Sequence, residues 1–401
     1  MPKTWIKNVA LFLGSQAVSH FGSSLVQYAI MWHITLVTKS GLMMTVSIIC
    51  GFVPAFFLSP FAGVWADRYN RKLIIIIADS FIALATLALA ILFMFGHNYI
   101  WLLFVVMAMR SIGSGIQGPA VGAIIPQFVP KTNLRKVNGI NSSINSVILL
   151  LSPMLAAFLL AFASIESIFF IDVFTALFAV IIFIFFIKIP THAKALDRKA
   201  KSYLQDLKEG VNYIRTHRYI RNFIIFCLFF YFLIAPVTFL TPLQVVRNYG
   251  PEVWRLTAIE IAFSIGMMMG GLIVGYFKVF KNKINLMAFA FSITGLTTFL
   301  LGFTIFFWFY CTVIIMMGLA VPLFHTTSTV LIQEKVEEEY LGRVFGILAM
   351  ISTSMVPLGM IVFGPIADFV SIDTILIITG LIIIALSFAL SKNKTLLSEG
   401  K

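Results

Sequence analysis

Charged residues are scarce in this sequence. Only 11% of its 401 residues are Asp, Glu, Lys or Arg, whereas 60% are hydrophobic. A soluble globule of this length could not hide so many apolar side chains. Apolar runs long enough to cross about 30 Å of hydrocarbon recur from residue 8 to residue 391. The composition excludes a soluble protein and predicts a polytopic membrane protein.

Cysteine is also scarce. Cys50, Cys227 and Cys311 all lie within apolar runs, where they cannot form a disulfide framework. The sequence has no P-loop and no metal-ligand spacing, so we predict no cofactor and no direct use of ATP. No catalytic arrangement clusters in the apolar runs, which argues against an enzyme, although an enzyme or a flippase acting on lipid stays open.

The apolar runs predict an all-α membrane fold, because membrane β-strands are shorter and alternate polar with apolar residues. Twelve spans are predicted, at residues 8–34, 41–66, 73–95, 100–123, 138–162, 167–189, 222–246, 257–279, 284–305, 307–333, 342–367 and 373–391. The N-terminal segment MPKTWIK resembles the start of a secretory signal. The apolar run behind it is too long for one, so we interpret it as the first span.

Basic residues predict the orientation. Twenty-five of the 29 Lys and Arg residues fall in the termini and connections on one side of the twelve spans. Lys39, Arg247 and Arg255 fall on the other side, and Arg110 lies within a span. The positive-inside rule therefore places both termini in the cytoplasm. The net charge of +13 then reflects topology and attraction to anionic lipid, and requires no nucleic acid.

The longest polar segment divides the chain into two halves. It predicts a six-helix bundle over residues 1–189, a cytoplasmic loop over 190–221 and a second six-helix bundle over 222–401 with a short cytoplasmic tail. Within the loop, SYLQDLKEGVNYI has an amphipathic pattern typical of a helix lying on the membrane surface.

The two halves share sequence patterns. LRKVNG at 134–139 matches LGRVFG at 341–346, each just before a span. Gly63-x-x-x-Asp67 ends span 2 on the cytoplasmic side, and Gly364-x-x-x-Asp368 ends span 11 on the outer side. Such internal repeats are typical of transporters that work by alternating access.

The polar stretch GVWADRYNRK, residues 63–72, interrupts the apolar sequence between spans 2 and 3. With twelve spans in two sixes and a long central loop, it resembles the signature G-x-x-x-D-R-x-G-R-R/K of the major facilitator superfamily. The matching positions are Gly63, Asp67, Arg68, Arg71 and Lys72. Asn70 replaces the usual Gly, and Asn also tolerates the left-handed turn conformation.

Other stretches resemble the macrolide-efflux branch of the superfamily's drug:proton antiporters. They are GSQAVS (14–19), MRSIG (109–113), TAIEIAFSIGMMMGG (257–271) and IQEKVEEEYLGRVFG (332–346). This resemblance implies two pseudo-symmetric six-helix bundles, with a bulky amphipathic drug and protons as partners. Span 5 keeps Pro153 but lacks the glycines of a motif common in such exporters. The direction of transport therefore rests on the resemblance.

Asp67 is the most informative residue of the signature. It lies at the C-terminal end of span 2, where the helix dipole disfavours an anion, so we expect it to bind a base or the N-terminus of another helix. The resemblance implies that this contact gates the cytoplasmic side. The alternative, a basic loop that only sets topology, explains the bases but not Gly63 and Asp67.

Polar side chains recur on single faces of three spans. These faces are Gln16, His20, Ser23 and Gln27; Arg110, Ser114 and Gln117; and Asn138, Ser142, Asn145 and Ser152. Polar groups in hydrocarbon are costly and mark functional sites, although interhelical hydrogen bonding is an alternative. In the superfamily spans 1, 4 and 5 line the central cavity. We therefore predict a substrate cavity formed by Gln16, His20, Gln27, Gln117, Asn145, Tyr231 and His325.

Proton coupling requires ionisable groups within the spans. Arg110 lies near mid-span, and the superfamily has an Arg in span 4 that is linked to proton transfer; a structural ion pair is the alternative. The acids within or at the edge of spans are Asp79, Asp172, Glu260 and Asp368. We assign coupling to Arg110 with Asp79, Asp172 and Glu260, although Glu260 also suits a helix cap.

These observations predict a monomeric, multi-pass transporter of the bacterial plasma membrane, working by alternating access. It would export a macrolide-type antibiotic in exchange for protons and confer resistance. Export of another amphipathic compound, such as a siderophore or lipid, and proton-coupled uptake are the alternatives.

Overall fold

The computed structural model describes residues 4–130, 133–187, 203–276, 282–303, 305–337 and 340–399. Within these ranges the regular structure is helical and no strand occurs. The first six helices are α1 (Thr4–Thr38), α2 (Gly41–Arg68), α3 (Arg71–Met94), α4 (Ile100–Phe128), α5 (Leu134–Phe162) and α6 (Ile165–Phe185). The next five are α7 (Tyr203–Thr216), α8 (Arg218–Leu233), α9 (Ala235–Phe239), α10 (Thr241–Tyr249) and α11 (Val253–Tyr276). The last five are α12 (Lys283–Leu301), α13 (Phe307–Lys335), α14 (Leu341–Ile366), α15 (Ile372–Lys392) and α16 (Lys394–Glu399).

Eleven helices in the described ranges are long and apolar enough to cross a membrane. They correspond to all the predicted spans except the seventh, which the sequence predicts as one helix over 222–246. That region forms three helices, α8 to α10, with breaks at Ile234 and Leu240. Pro236 and Pro242 lie in the first turns of α9 and α10. Proline lacks the N–H that would continue the preceding helix but fits a first turn, which explains both breaks.

The chain forms two compact units. The N-terminal unit contains Met1–Thr38 and Val46–Lys199, and the C-terminal unit contains Lys39–Thr45 and Ala200–Lys401. Thus the first turn of α2 groups with the C-terminal unit and the rest of that helix with the N-terminal unit. In the N-terminal unit α1 packs against α4, α5 and α6, and α3 packs against α4 and α6. Polar side chains of α1, α3, α4 and α6 meet within this unit.

Close helix packing in the C-terminal unit depends on glycine. A Cβ atom at Gly266 of α11 would collide with the backbone of Ile315 in α13, and one at Gly318 would collide with the backbone of Phe263. Small residues of this kind allow helix backbones to approach closely in membranes.

The amphipathic segment of the central loop forms α7. Its apolar face packs against α14: Tyr213 stacks on Tyr340 with ring centroids 4.4 Å apart, and Gly210 lies against Ile347. Glu209 also forms an ion pair of 2.9 Å with Arg343. The expected amphipathic helix thus exists, and the described part of its apolar face is covered by protein. The rest of the predicted loop, residues 190–202, lies outside the described residues.

Candidate functional site

The signature stretch forms the end of α2 and the start of α3. Asn70 precedes α3 with φ −67° and ψ 109°, and its side-chain oxygen accepts from Lys72 N at 3.0 Å and Leu73 N at 3.4 Å. Asn70 is therefore an N-cap and does not use the left-handed conformation that we expected it to tolerate. The preference of Asn for N-caps was the sequence signal for this role.

Arg71 and Lys72 bind backbone carbonyl groups in or beside α2, α4 and α6 of the N-terminal unit. Arg71 donates to Ala66 O at 2.7 Å and to Ala123 O at 2.6 Å. Lys72 donates from Nζ to the carbonyl oxygens of residues 184 and 187, at 3.1 and 2.8 Å. The last carbonyls of a helix lack intrahelical partners and carry partial negative charge, so Arg71 stabilises the end of α2 and Lys72 the end of α6.

The other signature residues take no part in these contacts as described. Gly63 lies on α2 with open space beside its Cα, and Arg68 is exposed at the helix end. Asp67 belongs to the last turn of α2, but its side chain lies outside the described part of the structure. The gating role of Asp67 therefore stays a prediction.

Arg110 forms a buried ion pair with Asp172. The two side chains are 4% and 0% exposed, and Nη1 of Arg110 contacts both Oδ2 of Asp172 and Oγ1 of Thr86. Thr86 in turn donates to Oδ2 of Asp172 at 2.9 Å. Two predicted residues from α4 and α6 thus meet, and Thr86 of α3, which the sequence analysis missed, joins them.

Helix α1 completes this network. Ser23 donates from Oγ to Oδ1 of Asp172 at 2.8 Å, and its carbonyl oxygen accepts from Nη2 of Arg110 at 2.8 Å. These hydrogen bonds to both ions help to offset the desolvation of a buried ion pair, and Nε of Arg110 is the one buried nitrogen of the pair without a partner among the described residues.

A second buried carboxylate, Asp79, lies near the first. It is 3% exposed, and its Oδ1 accepts from Ser19 Oγ at 2.8 Å and from Gln117 Nε2 at 2.8 Å. Gln117 also lies 3.3 Å from Oε1 of Gln16. Among these contacts of Asp79 there is no cation. The sequence analysis did not predict the role of Ser19. Ser19 is one helical turn from Ser23, and this i, i+4 spacing of serines in an apolar helix was the signal that could have identified it.

The predicted substrate-cavity residues do not share one environment. In the N-terminal unit Gln16 and Gln117 belong to the Asp79 cluster, whereas His20 and Asn145 are exposed. Gln27 packs against Gly51. In the C-terminal unit Tyr231 is buried beside Phe324, with ring centroids 5.7 Å apart, and His325 is exposed.

The C-terminal unit contributes the remaining predicted acid. Glu260 lies on α11, is partly buried and has no hydrogen-bond or ion-pair partner among the described residues. A contrasting pair lies at the start of α11, about two turns before Glu260, where Arg255 and Glu252 are 2.9 Å apart and Glu252 is 50% exposed. Within the described residues Glu260 therefore has no partner that neutralises its charge.

Asp368, at the edge of predicted span 11, caps the first turn of α2 within the C-terminal unit. It accepts from Gly41 N at 2.7 Å, Leu42 N at 3.0 Å and Ser40 Oγ at 2.8 Å, and pairs with Arg247 at 2.9 Å. Partial burial acts to raise its pKa, but these hydrogen bonds outweigh burial and hold the pKa below its ordinary value. An anion at a helix N-terminus is favoured by the dipole.

A groove of about 690 Å³ runs between α1 and α5. Its lining residues are Ala17, Val18, Phe21, Lys136, Gly139, Ile140, Ser143, Ile144, Val147, Ile148 and Leu151. None of the predicted substrate-cavity residues is among them. The groove is therefore a feature separate from the polar clusters.

The chain is similar in sequence and in fold to several known membrane proteins. Residues 12–360 match the family model of the Major Facilitator Superfamily. The chain is 30% identical over 376 residues to Macrolide efflux protein A of Streptococcus pyogenes, covering 93% of this chain and 92% of that protein. It is 25% identical over 381 residues to the Staphyloferrin A transporter of Staphylococcus aureus, covering 92% of each chain. Among solved structures, the nucleoside transporter NupG matches with a TM-score of 0.72 at 16% identity, covering 95% of this chain and 99% of that one.

Proposed function

Since this chain belongs to the major facilitator superfamily and is a multi-pass membrane transporter, we propose that it exports a bulky amphipathic drug of macrolide type in exchange for protons. The similarity to Macrolide efflux protein A over 93% of the chain supports this substrate class. In this proposal both termini are cytoplasmic, residues 1–189 and 222–401 are the two bundles that alternate, and Asp67 with its basic neighbours gates the cytoplasmic side.

The balance of buried charge is the observation that carries the proton-coupled part. Asp79, Arg110 and Asp172 are the only charged side chains that are buried in the described residues. The buried charged side chains in the described residues are thus two acids and one base. An uncompensated charge in a low-dielectric interior is costly, and binding a proton removes the cost.

Asp79 is the acid that takes the proton in this scheme. Asp172 has Arg110 as a direct partner, whereas the described contacts of Asp79 come from the neutral groups of Ser19 and Gln117. A neutral Arg110–Asp172 pair and a protonated Asp79 would leave the core of the N-terminal unit without net charge. Release of that proton restores one negative charge there, which links proton binding to the energy of the buried state.

Glu260 is the acid that we assign to the substrate. Asp172 is fully buried and already paired, so it offers no free oxygen to a drug amine. Glu260 is only partly buried and has no partner in the described residues. A carboxylate without a neighbouring cation attracts a positively charged group, and many macrolides carry a basic amine.

Drug accumulation tests the substrate. We expect the gene, expressed in a pump-deficient bacterial host, to lower the intracellular level of erythromycin and to lose this effect when a protonophore collapses the proton gradient. Unchanged accumulation despite confirmed membrane expression would contradict the macrolide assignment. A staphyloferrin-like compound is the second candidate because of the similarity to the Staphyloferrin A transporter, and it should be tested in the same cells.

Everted vesicles test the coupling. Asp79→Asn should abolish drug-dependent proton movement while drug still equilibrates down its own gradient, whereas Asp79→Glu should keep coupling. Glu260→Gln should weaken the binding of a cationic macrolide more than that of a neutral one. Glu252→Gln is the matched control, because it removes an exposed acid two turns away on the same segment. Normal coupling in Asp79→Asn would refute the assignment of the proton.

A further inference from the structure

We propose that the groove between α1 and α5 binds an anionic phospholipid, with one acyl chain along the groove and the phosphate at Lys136. The groove lining has an apolar part that suits an acyl chain and a cationic end that suits a phosphate. Ten of the eleven lining residues are apolar or small, and Lys136 is the one charged residue, at the end nearest the start of α5. A long apolar slot that ends in one cation matches an acyl chain that ends in a phosphate.

The groove is somewhat longer than the depth of a single leaflet. Its lining on α5 runs from Lys136 to Leu151, which corresponds to about 22 Å along a helix. Half the hydrocarbon core of a bilayer is about 15 Å thick. One acyl chain from one leaflet would therefore occupy about two-thirds of the groove, beginning at Lys136, if the helix stands along the membrane normal.

The apolar wall lies opposite the polar face of α5. Ile140, Val147 and Leu151 are 43%, 53% and 37% exposed and follow one another at helical spacing. Asn138 and Asn145 each lie two residues away, about 200° around the helix. The polar face that we assign to the substrate and the apolar wall of the groove are thus on opposite sides. The one hydroxyl in the lining, Ser143, donates to Gly139 O at 3.0 Å and is already satisfied.

Lys136 is available to a phosphate. Its side chain is exposed and has no hydrogen bond or ion pair in the part of the chain that the structure describes. Lys72, by comparison, uses its ammonium group to bind two helix-end carbonyls. The predicted orientation places Lys136 at the cytoplasmic surface, where anionic lipids attract basic residues.

Lipid retention tests the site. The purified full-length protein is incubated with mixed micelles of phosphatidylglycerol or phosphatidylcholine, and bound lipid is counted by native mass spectrometry. We expect wild type to retain phosphatidylglycerol preferentially, and Lys136→Gln to bind it about fivefold more weakly, the effect of one lysine near an anionic surface. Lys136→Arg should keep the preference.

Two further variants separate charge from shape. Lys7→Gln removes another exposed lysine, from α1 outside the groove, and should leave retention unchanged. Ala17→Leu fills the groove and should lower the retention of both lipids with Lys136 intact. Three results would each overturn the proposal. The first is equal retention of the two lipids by wild type, and the second is an effect of Lys7→Gln as large as that of Lys136→Gln. The third is displacement of the lipid by erythromycin at saturating concentration. Because retention is measured without transport, the comparison between wild type and the variants does not depend on which compound is exported.

Discussion

Removing the charge of Asp172 should destabilise the N-terminal unit strongly. Asp172→Asn keeps the size of the side chain but leaves Arg110, which is 4% exposed, without its counter-ion. Breaking a buried pair by removing one partner costs about 3–5 kcal/mol. One kcal/mol shifts the melting temperature by about 2–4 °C in domains of 150–250 residues, so we expect a loss of about 6–20 °C.

The assay heats the purified protein in detergent at neutral pH to a series of temperatures. Gel filtration of each heated sample then measures the fraction of folded protein that remains. The control is Glu252→Gln, which breaks the exposed pair with Arg255. Such surface pairs contribute about 0–1 kcal/mol, so this control should unfold near the wild-type temperature.

A double replacement distinguishes the charge from the packing. Arg110→Met with Asp172→Leu removes both ions and fills the space with apolar atoms, which should recover most of the lost stability. The same double variant should not support proton-coupled efflux if the pair takes part in coupling. If Asp172→Asn unfolds within about 2 °C of Glu252→Gln, the reasoning from buried charge is wrong.

Three further changes test local features. Asn70→Ala should cost about 1 kcal/mol by removing the α3 cap, measured as a lower melting temperature, while Asn70→Asp should retain stability; equal values for the two would contradict the cap. The pKa of Asp368 is lowered in the folded protein, so its stabilising effect should be complete above the ordinary carboxyl pKa of about 4 and be lost as the pH falls through the lower folded value. The melting temperatures of wild type and Asp368→Asn should thus differ from pH 5 to 8 and converge in acid. A difference that stays constant with pH would refute this. Gly266→Ala should lower the melting temperature because its Cβ would meet the backbone of α13, whereas Gly271→Ala, beside open space, should not; equal effects would contradict the close packing.

Proline shows where local sequence rules were available but could not decide the outcome. Pro54, Pro322 and Pro357 lie within helices that continue past them, whereas Pro236 and Pro242 stand at the starts of new helices. Each proline removes one N–H and therefore permits a break. Packing decides whether the break forms, as when Gln244 of α10 donates to Leu301 O at 2.8 Å and to Asp373 Oδ1 at 2.6 Å.

The sequence by itself determined the helical membrane fold, the positions of eleven continuous apolar helices and the resemblance to the superfamily. The helices could be predicted because an α-helix that spans hydrocarbon must be long and apolar. The charged residues within them could be recognised because such residues are rare in membrane spans. The sequence also identified Arg110, Asp79 and Asp172 as unusual. Only the tertiary structure decided that Arg110 pairs with Asp172, that Asp79 receives neutral donors and that Glu260 has none in the described residues. These partners come from α1, α3, α4 and α6, up to 149 residues apart in the chain, and periodicity along a helix gives the direction of a side chain but not the neighbour that it meets.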